Sequence, residues 1–210
     1  MIALRVPVVT VPLVVVVVLL VALALVWSLF FLARRLDRLH RRVEGAAVAL
    51  DNQLLRRAQA AGELASSGLL DPASAMLVVG AAGQAIAAGE GRAAQVALDP
   101  FSVSRLDDHS DDREAAESDL SRALRATLNA LPDDHPARAE GHLDGLAAVA
   151  HRVVLARRFH NDAVSHASAV RRKRLVRWAR LAGSAPAPRT VEIDDEPFRS
   201  GPSDGLPSAT

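Results

Sequence analysis

Twenty-one consecutive residues without a charge, Leu13 to Ala33, constrain this chain more than any other feature of it. At 1.5 Å of rise per residue, a helix of that length covers the roughly 30 Å hydrocarbon core of a bilayer. Arg34 and Arg35 close the run, and Arg38, Arg41 and Arg42 follow. A cleaved secretory signal has a shorter apolar run and a small-residue cleavage site after it. Here the AxA-like triplet, Ala22-Leu23-Ala24, lies in the middle of the run, so a retained anchor is expected. Trp27, Phe30 and Phe31 sit toward its basic end, where aromatic rings favour the interface. Pro7 and Pro12 place the start of the helix proper near Leu13. Only Arg5 flanks the other side, so the positive-inside rule predicts a single-pass membrane protein with its N-terminus outside and the rest in the cytoplasm.

Outside the anchor, alanine dominates and aromatics are scarce: five Phe, two Trp and no Tyr in 210 residues. High helix propensity with little side-chain volume favours close-packed helices over strands. The expected fold is all-α, an N-terminal transmembrane helix continuing into an antiparallel four-helix bundle with a disordered C-terminal tail. A net charge of +1 gives no bulk attraction to nucleic acid, and none is expected as a partner. Without cysteine there is neither a disulfide framework nor a thiolate metal site.

The chain divides into a short segment over 1–12, the span over 13–33, a bundle over 34–182 and a tail over 183–210. Leu36, Leu39, Val43, Ala47, Leu50, Leu54, Ala58, Ala61 and Ala65 recur at steps of three and four, with Arg56 and Arg57 among the charged flanks. The anchor helix is thus expected to run on to about Ser66, ended by Ser67-Gly68. Asp71-Pro72 is a cap followed by a first-turn proline, opening a second helix to about Ala97. Its glycines, Gly80, Gly83, Gly89 and Gly91, either weaken it or permit close helix approach. Residues 101–112 read as a loop, and a third helix is expected from Asp112 on the stripe Leu120, Leu124, Leu128 and Leu131. Pro136 reopens the chain into one helix to about Ala182. Its stripe turns polar at Arg157, Asn161 and Ser168, either a buried hydrogen-bonding layer or the exposed end of the bundle. After Gly183 the Ser-, Pro- and Asp-rich tail buries too little apolar surface to offset its ordering entropy. Within it, Val191 to Glu196 (VEIDDE) is either a short docking motif or a solvated acidic patch.

Four helices with short connections alternate in direction, so the fourth should end near the bilayer. That end carries Arg171, Arg172, Lys173, Arg174, Arg177 and Arg180 interleaved with Leu175, Trp178 and Leu181. Such a segment suits an anionic membrane surface, with membrane lipid as its partner. It also suits a solvated helix end complementing the helix dipole.

Three stretches, ARRFHNDAV (156–164), LDNQLLRR (50–57) and AESDLSRAL (116–124), together resemble motifs of the LemA family of membrane-anchored bacterial proteins. The resemblance covers about residues 33–170. Ala33, Ala58, His160 and Ala167 stand where that family carries tyrosine, Gly62 replaces an expected proline, and the second helix matches poorly. It implies an N-terminal anchor and an antiparallel four-helix bundle, and it implies no activity.

Candidate chemistry is sparse. His142, His151 and His160 are spaced nine apart on one helix and so alternate between opposite faces. Asp107, Asp108, Asp111 and Asp112 lack the spacing of a calcium loop. Neither group is expected to hold a metal, and no cofactor is expected. No glycine-rich phosphate loop or nucleophile elbow is present, and the chain reads as non-enzymatic. Asp51 and Gln53 on the first helix are expected to face Arg157 and Asn161 on the fourth, a polar layer that holds register. The function these features imply is scaffolding, or binding a protein partner at the cell envelope. The alternative is a sensor of lipid or envelope stress acting through residues 171–180.

Overall fold

In a computed structural model of the chain, which describes residues 10–98, 103–139, 141–172 and 188–198, all the regular secondary structure is helical. The helices are α1 (Thr10–Ser66), α2 (Pro72–Leu98), α3 (Val103–Asn129), a single turn α4 (Pro136–Ala139) and α5 (His142–Arg171).

The first helix runs unbroken for 57 residues, about 85 Å, from the apolar stretch into the bundle. Between Leu13 and Phe31 its large side chains, Leu29 apart, are exposed, and its most apolar window has a mean hydropathy of 3.2 with nothing buried against protein. That is long and apolar enough to cross a membrane. The span Pro72–Gly91 of α2 passes the same test more weakly, at 1.3. Its Val78, Ala81, Ala82 and Ala85 are buried in the bundle core, so we read it as a bundle helix.

Local chemistry explains the ends. At Gly68 the chain takes a positive φ of 78° just past the end of α1, and Ser67 Oγ donates to the Leu64 carbonyl. Asp71 Oδ1 accepts the backbone N–H groups of Ala73 and Ser74 at 3.1 Å each, the capping geometry that Asp71-Pro72 predicts. Two boundaries differ from expectation. The third helix begins at Val103, not Asp112: residues 101–112 are polar but contain neither Pro nor Gly to break a helix. The helix after Pro136 is not continuous either. It stops after Ala139, and α5 begins behind Gly141, whose φ of 73° no right-handed helix accommodates. The close approach offered for the α2 glycines is not used at Gly80, Gly83 or Gly91, where an added Cβ would meet open space. At Gly89 it would only touch the Arg113 guanidinium at 3.4 Å, an ordinary contact.

The core has one continuous register. Val43 packs with Ala163, Val164 and Ala167; Leu50 and Leu54 pack with Val153; Ala58, Ala61 and Leu64 share a cluster with Leu143 and Leu146. Along these pairs α1 and α5 run antiparallel, and extending the register sets Arg171 and Arg172 beside Leu36 and Arg35. The parity argument holds to that point; Lys173, Arg174, Leu175, Arg177, Trp178, Arg180 and Leu181 lie outside the described residues.

Helix α2 packs between α1 and α3, but α3 and α5 do not close against each other along their length. They share core only at the end away from the anchor, through Leu124, Leu128, Leu143 and Leu146. Elsewhere the gap between them is filled by residues 188–198. This part of the expected disordered tail is therefore packed. Val191 and Ile193 turn inward onto the layer of Leu50, Leu54 and Val153, and Ile193 is 7 % exposed. Two β-branched residues at alternate positions supply apolar burial that composition averaging over the whole tail hides. Residues 183–187 and 199–210 lie outside the described set.

Candidate functional site

The gap between α3 and α5 is the most chemically furnished place in the molecule. Its walls come from one face of each helix. On α3, Asp111, Glu114, Ser118 and Arg125 face it; on α5, Arg157, His160 and Asn161 do. The floor is α1, through Leu50 and Leu54.

The contacts to the segment fall into two kinds. The first holds main chain. Asn161 clamps Val191 from both sides: its Nδ2 donates to the Val191 carbonyl at 3.0 Å, and its Oδ1 accepts the Val191 N–H at 2.9 Å. Glu114 Oε2 accepts the Glu192 N–H at 3.1 Å, and Ser118 Oγ accepts the Asp194 N–H at 3.1 Å. His160 Nε2 lies 3.2 Å from the Arg189 carbonyl. The spacing follows from geometry. Two residues of extended chain advance about 6.6 Å and four residues of helix about 6 Å, so positions 192 and 194 meet helix positions 114 and 118 in step.

The second kind pairs charge. Arg125 grips Asp194 with both terminal nitrogens, Nη1 at 2.9 Å from Oδ1, and Nη1 also reaches Glu196 at 2.8 Å. Arg157 binds Asp195 through Nε at 2.9 Å and Nη2 at 2.7 Å. Forked, two-point contacts of this sort suit guanidinium and carboxylate and are stronger than neutral hydrogen bonds. Hydrogen bonds from Arg125 hold the Asp194 carboxyl below its usual 3.8, against the opposing effect of partial burial. Burial pushes Glu114 above its usual 4.5, outweighing the hydrogen bond from the Glu192 N–H.

Beneath the end of the segment lies a cavity of about 420 Å³ lined by Arg57, Ser121, His151, Arg158, Glu196 and Phe198 among others. Arg57 on its wall belongs to a buried ion pair. Arg57 Nη2 contacts Glu117 Oε2 at 2.7 Å and the Glu117 carbonyl at 2.9 Å, while Nη1 contacts Ser121 Oγ at 2.9 Å. The two side chains are only 4 % and 1 % exposed.

The expected polar layer is therefore rearranged. Arg157 and Asn161 do sit on an inward face of α5, but they take the tail, not Asp51 and Gln53. Asp51 instead lies 3.4 Å from Arg113 on α3. Gln53 is half-buried, and its Oε1 has no hydrogen-bond partner among the described residues. The ionic layer that does cross the bundle, Arg57–Glu117, was missed by placing Arg57 on the solvated flank. Its signal was present: Arg57 follows Leu54 by three and precedes Ala61 by four, inside the stripe. Glu117 likewise precedes Leu120 by three. Two of the three motif stretches meet, 50–57 and 116–124 through Arg57, whereas 156–164 takes the tail through Arg157 and Asn161.

Among the described residues, no three His, Asp or Glu side chains gather as a metal-ligand group. No family model, curated protein or solved structure matches the chain.

Proposed function

We propose that this chain is a membrane-anchored, non-enzymatic helical bundle, a divergent LemA-like protein, that binds a protein partner at the cell envelope. The observation that carries the reading is the α3–α5 gap. It is a groove furnished to hold another stretch of polypeptide by main chain and side chain at once, on a helix continuous with the apolar stretch. Leu155 and Phe159, one turn apart on α5 and on the face of that helix turned away from Arg157 and Asn161, form a separate exposed apolar pair, Phe159 being 65 % exposed. The five arginines after the apolar run support a cytoplasmic bundle.

The cysteine-free sequence makes two tests direct. A cysteine introduced as Ser203→Cys should be protected from a membrane-impermeant thiol reagent in intact cells and labelled after lysis; labelling from outside would reverse the orientation. A photo-crosslinking residue at Phe159, or at Arg158 beside the cavity under the segment, should give a discrete heavier adduct in membranes, and the unmodified band alone at both positions and at Leu155 would overturn partner binding.

A second reading, a sensor of lipid or envelope stress, is favoured by one observation: the end of α5 lies beside the arginine flank of α1. Arg171 and Arg172 thereby join Arg34, Arg35 and Arg38 at the same end of the bundle, where an anionic leaflet adds roughly 1 kcal/mol per cation. In a Trp27→Phe background, Trp178 fluorescence in nanodiscs should shift to the blue with anionic lipid and lose that shift on Arg171→Glu/Arg172→Glu.

A further inference from the structure

The groove between α3 and α5 has an occupant, and that occupant states what the groove accepts. Asn161, Glu114 and Ser118 contact only the main chain of residues 191, 192 and 194, which any sequence could supply. Specificity comes from two apolar seats at alternate positions, taken by Val191 and Ile193 over Leu50, Leu54 and Val153, and from two forked cation sites, Arg125 and Arg157, on opposite walls. Main-chain hydrogen bonding combined with pockets for alternate side chains is how folds accept an added extended peptide. The segment is also tethered lightly. Fifteen residues separate Arg172 from Pro188, and all four of its carboxylates bear on the same two arginines, Asp194 and Glu196 on Arg125, and Asp195 and Glu192 on Arg157.

We propose that the α3–α5 groove is a docking site for an extended acidic segment of a partner protein. The segment would have the order apolar, acidic, apolar, acidic, acidic, acidic, and residues 191–196 would occupy the site as a built-in competitor. This deepens the partner-binding reading and rests on it. A short tether gives the resident segment a high effective concentration, so a partner must be abundant or membrane-localised, or must displace the tail together with a second contact. The groove lies on a helix rooted in the apolar stretch, which suits a partner held at the same membrane.

The test uses the full chain in nanodiscs and a fluorescein-labelled peptide of residues 188–198, PRTVEIDDEPF. In the intact chain the peptide should bind at least tenfold more weakly than in the Val191→Ser/Ile193→Ser chain, whose own segment is released. Asn161→Ala in the released chain should lower affinity at least tenfold. A peptide of unrelated residues with the same apolar and acidic order should bind within tenfold of the resident one, and its amide version, with Asn and Gln for Asp and Glu, more than tenfold more weakly. Equal binding to intact and released chains, or none to a released chain that melts normally, overturns the proposal. If the released chain melts early, added peptide should restore the melting temperature; failure to restore it makes the segment a fixed part of the fold and overturns the proposal too. Dimers linked through each other's tails would assign the groove to a second copy, which also overturns it. None of these failures touches an adduct formed at Phe159, so the loss of this inference is distinguishable from the loss of partner binding.

Discussion

At the scale of single residues, the buried Arg57–Glu117 pair and the Asn161 clamp matter most. Removing one member of a buried ion pair leaves the other charged and unsolvated, at a cost of about 3–5 kcal/mol. Glu117→Leu should therefore lower the unfolding free energy by about that much in a denaturant titration followed by helix circular dichroism. The double variant Arg57→Met/Glu117→Leu should recover most of it, because no buried charge is left. The groove also has a pH signature with two opposed parts. Asp194 has a depressed pKa in the docked state, so its contribution is complete above its ordinary 3.8 and is lost as pH falls through the depressed value. Glu114 has a raised one, so its contribution is complete below 4.5 and is lost as pH rises through the raised value. Amide protection at Val191, Glu192 and Asp194, read by hydrogen exchange, should thus fall toward strong acid. At neutral pH it should rise in Glu114→Gln, which keeps an acceptor for the Glu192 N–H and removes the half-buried charge.

At the scale of elements, two kinds of glycine separate. Gly62 lies inside α1 with open space where a Cβ would go, so Gly62→Ala should stabilise the bundle by about 0.4–1 kcal/mol, since alanine is the better helix former. Gly141 has a φ of 73°, and Gly141→Ala should cost about 1–2 kcal/mol through left-handed strain although its surroundings are equally open. Opposite signs in thermal melts check the pair, and equal signs would mean that the kink between α4 and α5 is not held by Gly141. The polar start of α3 shows the complementary point. Absence of helix breakers counted for more there than absence of an apolar stripe, since the stripe is needed only where the helix meets the core.

At the scale of the molecule, the long helices pack in the order α5, α1, α2, α3, and the fourth seam, between α3 and α5, is closed mostly by an extended segment in place of a helix contact. Ending the chain after Ala187 should leave the contacts of α1 with α2 and of α2 with α3 in place and expose Leu50, Leu54 and Val153. Hydrogen exchange should then quicken over residues 111–125 and 153–161 but not over 72–91. Uniform quickening would mean the segment stabilises the whole bundle cooperatively. Much of this plan was legible in the linear chain. The apolar run, the helical periods, the Asp71 cap and the Ser67-Gly68 stop are local: each depends on residues within a turn or two, and the folded molecule keeps all of them. Arg157 and Asn161 were also recognisable, as polar residues standing in an apolar stripe. Their partners were not, because a hydrogen-bonding group in a stripe announces that something polar will face it without saying from how far along the chain. Thirty residues separate Asn161 from Val191, and sixty separate Arg57 from Glu117. Only the packing of α2 between α1 and α3, which leaves α3 and α5 apart along most of their length, decided that a tail rather than a helix would complete the core.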